Sequence, residues 1–86
     1  MDSLKITVDQ VYEKAETYWE YEDNYSNITI VAVIPEDDKE GFLWGYMYIK
    51  DEVDLDPEDY PKFYIKNRFM TYEGAKLEAS RYYYDL

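Results

Sequence analysis

Apolar positions along the 86-residue chain recur with two different periods, and the period predicts the element. Val8, Val11, Tyr12, Ala15, Tyr18 and Trp19 fall at helical spacing, which predicts an amphipathic helix over 8–21 started by Thr7 or Asp9 as its cap. ITIVAVI at 28–34 is an unbroken, largely β-branched run closed by Pro35, and FLWGYMYIK at 42–50 reads as a second strand. PEDDKEG between them is a polar turn ending in Gly41, so the two strands should form an antiparallel hairpin. KFYIK at 62–66 predicts a third strand with Phe63 and Ile65 on one side, and Asn67 marks a turn after it. Thr71 caps a last helix that runs to the end of the chain, with Tyr72, Ala75, Ala79, Tyr82 or Tyr83, and Leu86 repeating on one face. Gly74 costs that helix about 1 kcal/mol of propensity.

The order α-β-β-β-α predicts an α+β fold in which residues 1–86 form a single small domain. Its three-stranded antiparallel sheet is flanked by two helices packed on one face. Leu43, Met47, Ile49, Phe63 and Ile65 would there meet Val11, Ala15, Trp19, Ala75 and Ala79. Phe42, Trp44, Tyr46 and Tyr48 point the other way. Either this aromatic row is exposed for a partner or a dimer mate, or a helix or loop covers it.

Charge narrows the functional classes. Twenty Asp and Glu against nine Lys and Arg give a formal net charge of −11, and with no histidine that charge is constitutive across neutral pH. Such a body is repelled by bare nucleic acid and by anionic lipid, so the expected partner is a basic protein surface or a cation, with no direct nucleic-acid or membrane binding. Twelve tyrosines argue for a folded chain, because disordered acidic chains are poor in aromatics. The absence of cysteine excludes disulfides, a thiolate nucleophile and a Cys/His zinc site. MDSLKITVDQ has no signal-peptide character and no apolar run approaches the roughly 20 residues of a membrane span, which places the expectation in the cytoplasm. The triplets Asn24-Tyr25-Ser26 and Asn27-Ile28-Thr29 are accordingly read as chance glycosylation matches.

Catalysis finds little support. Without histidine or cysteine there is no Ser-His or Cys-His machinery, and glycines at 41, 45 and 74 make neither a phosphate loop nor a dinucleotide fingerprint. A paired-carboxylate hydrolase needs a cleft that a domain this small rarely supplies. Asp54, Asp56 and Glu58 imitate the first ligand spacings of an EF-hand loop, but Asp59 stands where the turn glycine belongs and Ile65 where the bidentate carboxylate belongs. The reading is a non-enzyme with no cofactor and no metal.

The acids are grouped. DEVDLDPEDY at 51–60 holds six carboxylates, Asp51, Glu52, Asp54, Asp56, Glu58 and Asp59, next to Tyr60. Asp9, Glu13, Glu16 and Glu20 form one stripe on the predicted first helix, for which a plain solvated face is the competing reading, and Glu36, Asp37, Asp38 and Glu40 crowd the hairpin turn. An extended chain rises about 3.3 Å per residue, so Asp54, Asp56 and Glu58 would stand about 6.6 Å apart, close to every second phosphate of a DNA strand. Tyr21, Tyr25, Tyr46, Tyr48 and Tyr60 offer flat faces for stacking on arginine or filling base pockets.

On size, charge, lack of cysteine, DEVDLDPEDY and the helix–three strands–helix layout, the chain resembles the small acidic DNA-mimic inhibitors of phages and other mobile elements. That class includes anti-CRISPR proteins, anti-restriction proteins and uracil-DNA glycosylase inhibitors. The closing FMTYEGAKLEASRYYYDL looks like the terminal helix of small phage proteins that contain a T-Y-E-x-A phrase. The resemblance implies an inhibitor that occupies the DNA or RNA site of a basic nucleic-acid-binding protein: a Cas effector, a restriction enzyme or a DNA-repair enzyme. The alternative from a different class is an accessory protein-protein interaction module, with a homodimer as one form, that uses the aromatic face around Trp44, Tyr46 and Tyr48.

Overall fold

A computed structural model describes residues 3–37, 40–49 and 62–86. The elements are β1 (Ser3–Leu4), α1 (Val8–Lys14), β2 (Thr17–Glu22), β3 (Ile28–Pro35), β4 (Phe42–Ile49), β5 (Phe63–Phe69) and α2 (Tyr72–Tyr84). All five strands join one antiparallel sheet in the order β1-β5-β4-β3-β2. The α+β class holds, but the expected three-stranded sheet is replaced by a five-stranded one.

Two strands account for the difference. The expected helix over 8–21 stops at Lys14, because Ala15 turns to extended backbone (ψ 131°) and TYWEYE continues as β2. That hexapeptide is β-branched, aromatic and alternating, so its period of two competes with the helical period that Tyr18 and Trp19 also satisfy. Packing decides between them. Ile30, Val31, Ala32, Val33 and Ile34 are all buried, so β3 is covered on both faces and belongs inside a sheet, with a neighbour on each side. β2 is that neighbour, paired from Thr17↔Val33 to Glu22↔Ile28. β1 adds two residues outside β5, through Ser3↔Tyr64 and Leu4↔Phe63.

The hairpin of β3 and β4 forms as expected, in register from Ile28↔Ile49 to Pro35↔Phe42. β5 runs on through Asn67, where a turn was expected, to Phe69. A bulge lies between the pairs Trp44↔Asn67 and Gly45↔Ile65, leaving Lys66 as the extra residue on β5. The backbones are so close there that a Cβ on Gly45 would stand 1.9 Å from the Tyr64 carbonyl oxygen.

The helices lie on opposite faces of the sheet, correcting the expectation that both share one. α1 has only seven residues and is held by a reciprocal cap: the Gln10 N–H donates to Thr7 Oγ1 (3.2 Å) and the Thr7 N–H to Gln10 Oε1 (2.8 Å). It presses Val11 onto Ile30, Ala32, Ile34, Leu43, Met47, Phe63 and Ile65. α2 starts where Thr71 Oγ1 accepts the Gly74 N–H and lays Ala75 and Ala79 on Val31, Val33 and Trp44. Of the expected helix contacts to Leu43 and Phe63, those from Val11 and Ala15 are made, whereas Trp19, Ala75 and Ala79 serve the other core.

Candidate functional site

The aromatic row on β4 is covered. Trp44 is 3% exposed beneath α2, its Nε1–H donates to Glu78 Oε1 (3.1 Å), and its ring lies against Tyr82. Tyr46 packs between Tyr64 and Tyr82, which leaves Tyr48 as the exposed one of the three candidate aromatics. α2 therefore occupies the surface that an aromatic docking or dimer face would have required.

The acidic stripe expected on one helix is divided among three places. Asp9 and Glu13 are on α1, Glu16 is in the bend after it, and Glu20 is in the middle of β2. Even so, Asp9 and Glu20 both come close to Tyr12. Burial, then a hydrogen bond with Glu20, then the charges of Glu20, Tyr18 and Asp9 push the Tyr12 phenol up to about 12. Tyr18 meets the same ring edge-on at 4.9 Å.

The hairpin-turn acids are partly neutralised within the fold. Glu36 accepts from Arg68 Nε at 3.0 Å, and Asp37 lies 3.6 Å from Lys14 Nζ. Glu40 is exposed. Asp38 and the whole of Asp51, Glu52, Asp54, Asp56, Glu58, Asp59 and Tyr60 lie outside the described residues, so the phosphate-like spacing expected of that segment is not part of the described structure.

What the structure brings out instead is a division of charge across the sheet. Residues 15–37 contain six acids, Glu16, Glu20, Glu22, Asp23, Glu36 and Asp37, and no Lys or Arg. Residues 62–68 contain Lys62, Lys66 and Arg68 and no acid. Strand order places β2 at one edge and β5, with β1 and the following Lys5, at the other. Among the described residues no Lys or Arg pairs with Glu16, Glu20 or Glu22. Glu22 and Tyr18 were not among the expected site residues. The signal that could have found them was the stretch free of basic residues between Lys14 and Lys39, combined with the alternation of TYWEYE.

A five-residue turn fixes the far end of this edge. The Asp23 carboxylate accepts the N–H groups of Tyr25 (2.7 Å) and Asn27 (3.0 Å) and the Asn27 side-chain amide (3.2 Å). Burial alone would raise the Asp23 carboxyl, but those donors outweigh it and hold it below its ordinary value. Ser26 supports the turn at positive φ (64°).

Among the described residues no group of three or more metal-ligating side chains converges, and no helix is long and apolar enough to cross a membrane. Comparison of the chain with protein-family models, with curated proteins and with solved structures finds no match.

Proposed function

We propose that this protein is an acidic, non-catalytic inhibitor that occupies the DNA- or RNA-binding site of a basic protein in the bacterial cytoplasm, with a defence nuclease as the target class. The observation that carries the reading is the placement of Glu16, Glu20 and Glu22, which pair with no Lys or Arg among the described residues, along the edge that β2 forms in the described sheet, away from the bases on β5. A lysine- and arginine-lined groove binds polyanions by charge-assisted hydrogen bonds and by counterion release, and carboxylates held on a sheet edge supply the same partners as phosphates. Asp9 on α1, whose charge reaches Tyr12 as that of Glu20 does, extends the acidic surface beside that edge.

The test is a nuclease competition assay. Purified CRISPR effector and restriction nucleases are titrated with the protein at rising salt, with and without excess non-cleavable DNA. Inhibition should fall steeply between low and moderate salt, should be relieved by DNA, and should be lost in the triple variant Glu16→Gln, Glu20→Gln, Glu22→Gln. Inhibition that persists under saturating DNA, or in the triple variant, would remove the reading.

A further inference from the structure

The outer edge of β2 is a run of backbone as well as a row of acids. In an antiparallel pair, residues alternate between exchanging hydrogen bonds with their partner and turning their N–H and C=O away from it. The Asp23 N–H donates to the Asn27 carbonyl, which sets the phase for the β2–β3 hairpin. Counting back along the register, Tyr21, Trp19 and Thr17 bond to β3, while Glu22, Glu20 and Tyr18 present their N–H and C=O groups to the outside. An independent contact agrees with this phase: the Glu20 carbonyl accepts from the Tyr83 hydroxyl at 3.1 Å. Tyr83 reaches it from α2 while its ring stacks on Trp19. The fold thus already fills one acceptor of this edge with a borrowed donor.

Exposed edges are usually blunted by charged side chains, lysine above all, by proline or a bulge, or are kept very short. The opposite edge follows this rule, since β1 is two residues long. β2 has six residues and neither proline nor lysine; the charged side chains within its span are Glu20 and Glu22, which repel an acidic strand and admit a basic one. Its side chains alternate: Tyr18, Glu20 and Glu22 on the α1 side, Thr17, Trp19 and Tyr21 on the α2 side.

We infer that this edge adds one extended strand from the partner, with lysine or arginine at alternate positions opposite Tyr18, Glu20 and Glu22 and uncharged residues opposite Thr17, Trp19 and Tyr21. The inference rests on the proposed recognition of a basic partner and specifies how that partner is gripped. Directly opposed side chains on a sheet stand about 4.5–5.5 Å apart, where unlike charges stabilise and like charges repel. A second copy of this chain is the wrong occupant, because pairing two β2 edges about Glu20 sets glutamate against glutamate. An incoming strand places its own N–H on the Glu20 carbonyl, displacing the Tyr83 hydroxyl.

Three synthetic peptides of one composition test it against the full chain. One is acetyl-Lys-Val-Lys-Tyr-Lys-Thr-Lys-amide; the second groups its lysines in a block; the third is the first with N-methyl groups on the backbone of its two central lysines. The alternating peptide should bind about tenfold more tightly than either of the others and slow amide exchange at Tyr18, Glu20 and Glu22. Tyr83→Phe keeps the ring on Trp19 and removes the competing donor, so it should tighten binding of the alternating peptide about threefold. Equal binding of all three peptides without protection of those amides overturns strand addition and leaves acidic recognition standing. No binding of any peptide overturns both. Weaker binding by Tyr83→Phe, or protection of the same amides that grows with protein concentration alone, also overturns strand addition, the latter in favour of a second copy.

Discussion

The two sides of the sheet are built from similar strands and carry opposite charge. β2 and its flanks hold Glu16, Glu20, Glu22 and Asp23, while β5 and the residue before it hold Lys62, Lys66 and Arg68. Strands spaced about 4.8 Å apart put roughly 15 Å between them. They also differ in what the charges touch. Arg68 pairs with Glu36, Lys66 stands 5.7 Å over the Tyr82 ring, and β1 lies outside the start of β5. Among the described residues Glu16, Glu20 and Glu22 meet no cation and no strand lies outside β2. A net charge of −11 therefore describes this molecule poorly. Arg68 and Lys66 are engaged within the fold, whereas Glu16, Glu20 and Glu22 have no cation beside them among the described residues. A basic partner of the kind proposed would be oriented by this field before contact, edge first.

The contrast can be broken most severely at Gly45, which lets β5 close on β4. Gly45→Ala drives a methyl group into the Tyr64 carbonyl and should cost about 3 kcal/mol or more in urea unfolding, or prevent folding altogether. A loss below about 1 kcal/mol would mean that the bulge at Lys66 can relax and does not hold the basic side in place. Next comes Glu78, whose carboxylate takes both the Trp44 indole N–H and the Asn67 amide and so ties α2 to β4 and β5. Glu78→Ala leaves the buried indole N–H without its partner and should cost about 2 kcal/mol, against clearly less for Glu78→Gln, which keeps an acceptor.

A smaller effect falls on affinity alone. Glu20→Lys together with Glu22→Lys should weaken binding to a basic target about tenfold at low salt, chiefly by slowing association, and the deficit should shrink as salt rises. Lys66→Gln together with Arg68→Gln should change the same affinity less than about twofold while costing about 1 kcal/mol of stability. Equal effects from the two pairs would mean that the partner senses total charge and not the β2 edge.

Much of this arrangement could be read in advance, and the misses share one physical cause. ITIVAVI, FLWGYMYIK, the hairpin between them and the Thr71-capped helix stand in the structure nearly as the pattern predicts, because each has one dominant period and its own punctuation. The segment 15–22 satisfies two periods at once, and only the need of β3 for a second neighbour selects the strand. β1 is too short to leave a pattern, and Asn67, read as a turn, is held in β5 by its place opposite Trp44 and by its bond to Glu78. The acidic residues were visible as composition. Their distribution depends on strand order, a tertiary property that local periodicity does not encode.

The smallest predicted signal is also the one that reports most directly on how α1 and β2 meet. Tyr12 lies on the helix and Glu20 on the strand, and the hydrogen bond between them exists only if the chain turns at Ala15. Burial first, then Glu20, holds the Tyr12 phenol at about 12, above the ordinary value of about 10. The native state thus keeps a proton that the unfolded chain gives up earlier. Its stabilising contribution is complete below about pH 10 and is lost as the pH rises from about 10 to about 12, so unfolding free energy should decline across that window. Titrated by the near-ultraviolet tyrosinate band, Glu20→Gln should bring Tyr12 back toward its ordinary range, though not fully, since burial remains. Tyr82, raised by burial and by Tyr46 on the opposite face of the sheet, should not respond. If the late-titrating phenols of the Glu20→Gln protein match those of the parent, Glu20 does not stand beside Tyr12, and the acidic edge is not joined to α1.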